Sequence, residues 1–262
     1  MDWLMHGMKR VPGFGATRNP HATVSRGMSN PHTKILITGA GSGIGRALAA
    51  KLAGSDKSLF LTSRSADKLK SIAGEVDAAG STAADLTKPG LAARVVEKAA
   101  VALDGLDTVV HCAGIGLIRS AADTTDAEVT QVLNVNARAT FLLAQAACQT
   151  MAAARRGRFL TIPGILGRAP MRNAAAYVAS KYAVSGMIKA FAQEYQRHGI
   201  QFSLFHFGGV DSPFWDDLGM KVQREKMIDT ATAAEMLAQT IDLPSHLVLG
   251  EVVLQPESHQ LV

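Results

Sequence analysis

The sequence predicts a single α/β domain: a parallel sheet of about seven strands with helices on both faces. Three observations carry that prediction. From residue 34 onward, short apolar runs alternate with longer segments of helical period. The apolar runs are continuous rather than alternating, as strands buried on both faces require. The first run ends in a glycine-rich turn, Thr38-Gly-Ala-Gly-Ser-Gly-Ile-Gly45, that opens directly into a helical pattern.

The elements follow in order. Residues 34–38 form the first strand and stop at the glycines, and residues 43–53, rich in Ala and Leu, the first helix. Residues 59–62 are the second strand, followed by a short helix over 66–72. Residues 82–84 make a third strand that ends at Asp85. Residues 91–103 are amphipathic, with Val95, Val96 and Ala99 on one face. Residues 107–111 are the fourth strand. Residues 126–154 read as one long helix, because nothing stronger than Asn and Thr interrupts them. Residues 158–162 are the fifth strand. A second long helix over 173–198 ends at Gly199, placed as a C′ glycine. Residues 201–207 are the sixth strand, 232–240 a late helix and 247–254 the last strand.

Composition narrows the function classes. Of 262 residues, 47% are hydrophobic and 19% charged, which excludes a wholly disordered chain. No run of about 18 apolar residues is present, so no membrane span is expected. Two cysteines, Cys112 and Cys148, cannot build a disulfide framework and suit a reducing compartment, so a cytoplasmic protein is expected. The net charge of +5 is unevenly placed. Residues 1–33 hold Lys9, Arg10, Arg18 and Arg26 against Asp2 alone, leaving little excess for the rest. Nucleic-acid binding would need basic residues clustered on a folded face. The one cluster is Arg155, Arg156 and Arg158, which reads as a solvated helix C-terminus. His111, His198 and His206 show no metal-ligand spacing, and no metal is expected.

Residues 1–32 mix Gly, Pro, Asn, His and Arg without apolar period and read as a disordered extension to a domain over 33–262. Their arginines and scarcity of acid also fit a transit peptide, and Met28 fits an internal start site.

The glycine turn is the first chemical signal. Glycines allow a tight turn and let the backbone approach a pyrophosphate, while the unpaired N–H groups of the following helix attract the anion. Gly39, Gly41, Ser42, Gly43, Ile44 and Gly45 are therefore candidate cofactor contacts. A second signal is Tyr177 with Lys181 four residues on, which share one helix face. An adjacent ammonium stabilises phenolate and is expected to bring a tyrosine pKa from about 10 toward neutrality. Such a tyrosine can exchange a proton with a carbonyl or alcohol oxygen. Tyr182 and Tyr195 each have Gly at that spacing, so Tyr177 is the candidate.

With these motifs in order, the chain from about residue 33 to 255 resembles the short-chain dehydrogenase/reductase family. Gly39, Gly43 and Gly45 match its three glycines. Asp85, with Leu86 and Thr87, matches its adenine-side acid. Cys112-Ala113-Gly114 stands where relatives have Asn-Ala-Gly, beside the cofactor. Asn136 matches the helix asparagine, and Tyr177 and Lys181 match the Tyr-x-x-x-Lys pair. The segment Phe207 to Ser212 is similar to a Pro-Gly-x-Val-x-Thr motif and adds Val210 and Ser212 to the cofactor contacts. The resemblance implies a Rossmann-like doubly wound fold and an NAD(P)-dependent oxidoreductase acting on alcohols or carbonyls. It implies Tyr177 as acid/base, Lys181 as pKa tuner and ribose anchor, and Asn136 as a water-holding relay. It also implies a homodimer or homotetramer paired through its two long helices.

The family pattern is broken once. Its catalytic serine lies 13 residues before the tyrosine, where this chain has Gly164. Thr161, three residues earlier on the adjoining strand, should face the other way. Losing such a donor costs about 3–4 kcal/mol in well-studied oxyanion sites. Two readings stand: a reductase with another source of stabilisation, and a dinucleotide-binding homologue with little catalysis. For cofactor choice, residues 61–64, Leu-Thr-Ser-Arg, hold no acid for a ribose 2′-hydroxyl. Ser63 and Arg64 suit a 2′-phosphate, which favours NADP over NAD. Cys112 reads as a packing residue. Phe214 and Trp215 fall where relatives carry a lid, and they read equally as pocket lining or as packing.

Overall fold

Strand order decides where a site can form in an open parallel sheet. The computed structural model describes residues 33–258. The extension expected over residues 1–32 lies outside the described residues. The chain runs β1 (Thr33–Thr38), α1 (Gly43–Leu52), β2 (Lys57–Ser63), α2 (Ala66–Glu75), β3 (Gly80–Ala83), α3 (Leu91–Ala102), β4 (Thr108–His111) and α4 (Asp126–Leu133). It continues with a π-helical turn (Asn134–Arg138), α5 (Ala139–Ala152), β5 (Gly157–Thr161), a 3-10 turn (Ile165–Gly167), α6 (Ala175–Tyr195) and β6 (Ile200–Phe207). It ends with β7 (Val210–Asp211), α7 (Phe214–Asp217), β8 (Ile228–Asp229), α8 (Thr230–Ile241) and β9 (Glu251–Leu254).

Seven strands form one sheet in the order β3-β2-β1-β4-β5-β6-β9, and every neighbouring pair is parallel. Alternation along β1 sorts the two cores. Leu36 faces Val95, Val109, Leu143, Phe159 and Ile188 on the side of α3, α5 and α6. Ile35 and Ile37 face Leu48, Val110, Leu160 and Leu237 on the side of α1 and α8. Both faces are covered, which explains why the strands read as unbroken apolar runs. The winding reverses between β1 and β4, so a crevice opens beyond their C-terminal ends. Register places Thr62, Thr38, His111 and Thr161 side by side at that edge, all buried.

Four sequence expectations change. The helix expected over 126–154 is two helices joined by the π turn, which carries the buried Asn136. The third strand begins earlier, at Gly80, which pairs with Phe60 and has no room for a side chain beside the Phe60 ring, 2.9 Å from where a Cβ would stand. The last strand is only four residues long: β6 offers it partners from Leu204 to Phe207, and residues 247–250 stay outside the sheet. Finally, Arg155 and Arg156 stand exposed just past α5, as a solvated helix end should, but Arg158 does not. Arg158 donates to the carbonyls of Thr240, Ile241, Leu243 and Pro244 and so caps α8. Arg156 pairs with Asp107 at 3.0 Å, and Arg155 donates to the Arg197 carbonyl.

Candidate active site

The glycine turn is built by close approach. A Cβ on Gly39 would stand 2.8 Å from the Ala113 nitrogen, and one on Gly45 would stand 2.5 Å from the Gly39 carbonyl oxygen. Gly39 and Gly43 both have positive φ, at 70° and 53°. These contacts seat the start of α1 directly on the ends of β1 and β4. The Ser42 side chain makes no capping bond to α1, so the first N–H groups of that helix have no side-chain acceptor. Uncapped donors at a helix start that opens on a cleft suit a pyrophosphate. The residues present therefore fit a dinucleotide.

The cleft measures about 790 Å³. It is lined by Gly39, Gly41, Ser42, Gly43 and Ile44 at the turn, by Ser63 and Arg64 after β2, and by Asp85 and Leu86 after β3. Cys112, Ala113, Gly114, Tyr177, Lys181, Val210 and Ser212 complete the expected set. Two predicted residues stand behind the wall: Gly45, packed on Gly39, and Asn136. Lys68 also lines the cleft, exposed beside Ser63 and Arg64. Sequence reasoning missed it, since a lysine in the first turn of α2 has no motif to mark it.

Asp85 is organised by its neighbour. Its Oδ1 accepts from both the Thr87 backbone N–H and hydroxyl, at 3.0 and 2.7 Å, and these bonds hold the carboxyl below its usual range. Burial pushes the Cys112 thiol up to about 12, so it stays protonated and acts as a packing group.

Asn136 works as a clamp. Its Oδ1 accepts from the Ile115 N–H at 2.9 Å, and its Nδ2 donates to the Ile115 carbonyl and to Ser180 Oγ. Ser180 in turn donates to the Tyr177 carbonyl at 2.7 Å. The amide thus ties the segment after β4 to α6. A polar chain runs behind it. Thr140 donates to the Asn136 carbonyl, His111 Nε2 donates to Thr140 Oγ1 at 2.9 Å, and Thr38 donates to His111 Nδ1 at 2.7 Å. Burial lowers His111 to about 3, with the Lys181 charge assisting, so the imidazole is neutral.

Tyr177 and Lys181 share the cleft face of α6. Lys181 Nζ lies 5.6 Å from the Tyr177 ring centre and donates to the Ile162 carbonyl at 3.1 Å. Packing lowers Lys181 to about 8. The expected lowering of Tyr177 is not found: burial raises it above its ordinary value. Tyr177 is therefore a neutral phenol at neutral pH.

Gly164 adopts φ 70° and ψ 177°, a conformation essentially reserved for glycine. It is pinned on both sides. Its N–H donates to the Phe205 carbonyl at 3.1 Å, and its carbonyl accepts from His206 Nδ1 at 3.0 Å. Thr161 turns away as expected: its hydroxyl points to the His111 carbonyl, and it does not line the cleft. Phe214 and Trp215 do line the cleft. Among the described residues, no group of three His, Cys, Asp or Glu side chains could hold a metal, and no helix is long and apolar enough to cross a membrane.

An open parallel sheet, a glycine cradle at its switch point and a tyrosine–lysine pair beside that cradle define a dinucleotide-dependent oxidoreductase. Residues 33–223 match the family described as short chain dehydrogenase. A short-chain dehydrogenase/reductase of Armillaria gallica is 33% identical over 188 residues, covering 69% of this chain and 72% of its own. Sepiapterin reductase of Chlorobaculum tepidum is 27% identical over 235 residues, covering 86% and 96%. The alcohol dehydrogenase of the archaeon Thermococcus sibiricus, complexed with 5-hydroxy-NADP, shares the fold at TM-score 0.81 and 22% identity, covering 88% of this chain and 100% of that one. A metagenomic short-chain oxidoreductase in complex with NADP gives TM-score 0.74 at 28% identity, covering 86% and 98%. The chain belongs to the short-chain dehydrogenase/reductase family of oxidoreductases.

Proposed function

We propose that this chain is an NADPH-dependent carbonyl reductase, able to run in reverse as an alcohol dehydrogenase, with Tyr177 as its acid. One observation carries the reading: Tyr177, a neutral phenol, lies with Lys181 in the same cleft as the glycine cradle. The bound dinucleotide supplies a hydride to the carbonyl carbon. Tyr177 Oη gives its proton to the carbonyl oxygen as that oxygen gains negative charge. Lys181, with its ammonium beside the ring, stabilises the phenolate left behind and returns a proton to it. Asn136 acts as a positioning residue, holding Ile115 and Ser180 and through Ser180 the backbone of Tyr177. Arg64, Ser63 and Lys68 form a polar corner after β2 suited to a 2′-phosphate. The NADP complex of a 28% identical relative agrees with that choice.

Tyr177→Phe removes the proton and nothing else of size. It should lower NADPH oxidation with a carbonyl panel by at least about a hundredfold while leaving NADPH binding intact. Unchanged turnover would end this mechanism. Gly164 favours a second reading, a dinucleotide-binding protein of weak catalysis. The two part on the wild type itself, since the second predicts NADPH binding without turnover of any carbonyl.

A further inference from the structure

We infer that His111 is a positioning residue: it joins the glycine cradle to the helix turn behind Tyr177 and so sets the acid against the bound cofactor. The inference rests on the reading of Tyr177 as proton donor.

His111 ends β4, level with Thr38 on β1, and is buried. Both of its ring nitrogens are engaged. Nδ1 lies 2.7 Å from the Thr38 hydroxyl, and Nε2 lies 2.9 Å from that of Thr140. These bonds fix which nitrogen carries the proton. The Thr140 hydrogen goes to the Asn136 carbonyl, so its oxygen accepts from His111 Nε2–H. In a neutral ring Nδ1 then holds a lone pair and accepts from Thr38. Burial and the nearby Lys181 ammonium both oppose a positive charge on the ring. A neutral histidine offers one donor and one acceptor at two fixed points of a rigid ring, which is what a bridge between two hydroxyls requires.

The bonds run in one direction. Thr38 donates to His111, His111 to Thr140, and Thr140 to the Asn136 carbonyl. From the same residue the Asn136 amide donates to Ser180, and Ser180 donates to the Tyr177 carbonyl. Bonds aligned head to tail polarise one another, so each strengthens the next. Both ends of the chain are functional. Thr38 leads into Gly39, whose close approach to Ala113 seats the cradle on the residues that follow His111. The Thr38 carbonyl also accepts from the Cys112 N–H at 3.2 Å. At the far end, Ser180 immediately precedes Lys181 on α6.

The turn that this chain supports is π-helical, so it departs from the regular α-helical ladder. Thr38, His111, Asn136, Thr140 and Ser180 are all buried. Loss of one link therefore leaves a buried donor or acceptor unmatched. The movement that relieves it displaces Asn136 and, through Ser180, Tyr177. A displacement of about 1 Å at a reacting group can cost about a hundredfold in rate. The cradle keeps its own contacts at Gly39 and Gly45, so cofactor binding is spared.

Nitrogen-15 spectra of histidine-labelled wild type, with His111→Phe to identify the signals, read the ring between about pH 5.5 and 9. The expected result is a neutral Nε2–H ring that does not titrate. An imidazolium, or a proton on Nδ1, would overturn the inference even if a variant failed to fold. Thr140→Val keeps the shape of the side chain and breaks the link. Exchange of the Ile115 amide, which is bonded to Asn136, should quicken by at least about tenfold. NADPH affinity should change by less than about twofold. For the best substrate of a carbonyl panel, kcat should fall about tenfold at unchanged KM, and Thr140→Ser should recover most of it. His111→Phe should behave alike, and the double variant should lose no more than either single one. Unchanged Ile115 exchange, unchanged kcat or losses that multiply would overturn the inference alone, provided the wild type reduces a carbonyl. A wild type that binds NADPH and reduces none would overturn the reductase reading, and this inference with it.

Discussion

Lys181 sits near 8 and Tyr177 above its ordinary value, and together they set a direction for pH. Reduction needs the phenol protonated and the lysine charged. Both conditions hold below about pH 8, and the second fails as pH rises through the Lys181 value. The kcat/KM for carbonyl reduction should therefore be flat from pH 6 to 7.5 and fall above about 8. Lys181→Arg should shift that fall upward by more than one pH unit, since guanidinium keeps its proton. A profile that rises between pH 7 and 9 would contradict this assignment. The pair itself was legible in the sequence, because four-residue spacing on a helix is a local property. The state of Tyr177 was not, because it depends on how the folded chain buries the phenol. Gly164 was legible as a missing hydroxyl, but not as a backbone constraint. A serine there would carry about 1–3 kcal/mol of strain at φ 70°, so one substitution does not restore the family's donor. Lys68 and the His111 bridge went unseen for the same reason: each joins segments that only the folded chain brings together.

Among the elements, strands and helix periods were read correctly wherever burial alone shaped them. The break between α4 and α5 was hidden because the apolar period passes through it. What opens the turn is Asn136, turned inward to bond Ile115 and Ser180, a demand of the site rather than of the helix. Arg158 shows the opposite error, a residue assigned to its own helix end that serves the end of α8. The outer faces of α4, α5 and α6 carry exposed Leu133, Phe141 and Tyr182. We propose that these faces pair two copies of the chain, which agrees with their small, alanine-rich surfaces. Sedimentation velocity at micromolar concentration should show a dimer or tetramer, and Phe141→Glu should shift it toward monomer. A wild type that sediments only as monomer would remove the proposal.

At the scale of the whole molecule, seven parallel strands and their reversal between β1 and β4 place every functional segment at one edge of the sheet. That much was legible, because repeated βα units admit few arrangements. The short last strand was not, since its length follows from the register of β6 rather than from its own apolar run. The cradle, the corner at Arg64 and the Tyr177–Lys181 pair make a connected case for NADPH as the reductant. Calorimetric titration with NADPH and, separately, NADH tests that case most directly. A 2′-phosphate bonded by Arg64 should make NADPH at least about tenfold tighter, and Arg64→Ala should erase most of the difference. Tighter binding of NADH, or binding of neither by the folded protein, would contradict it.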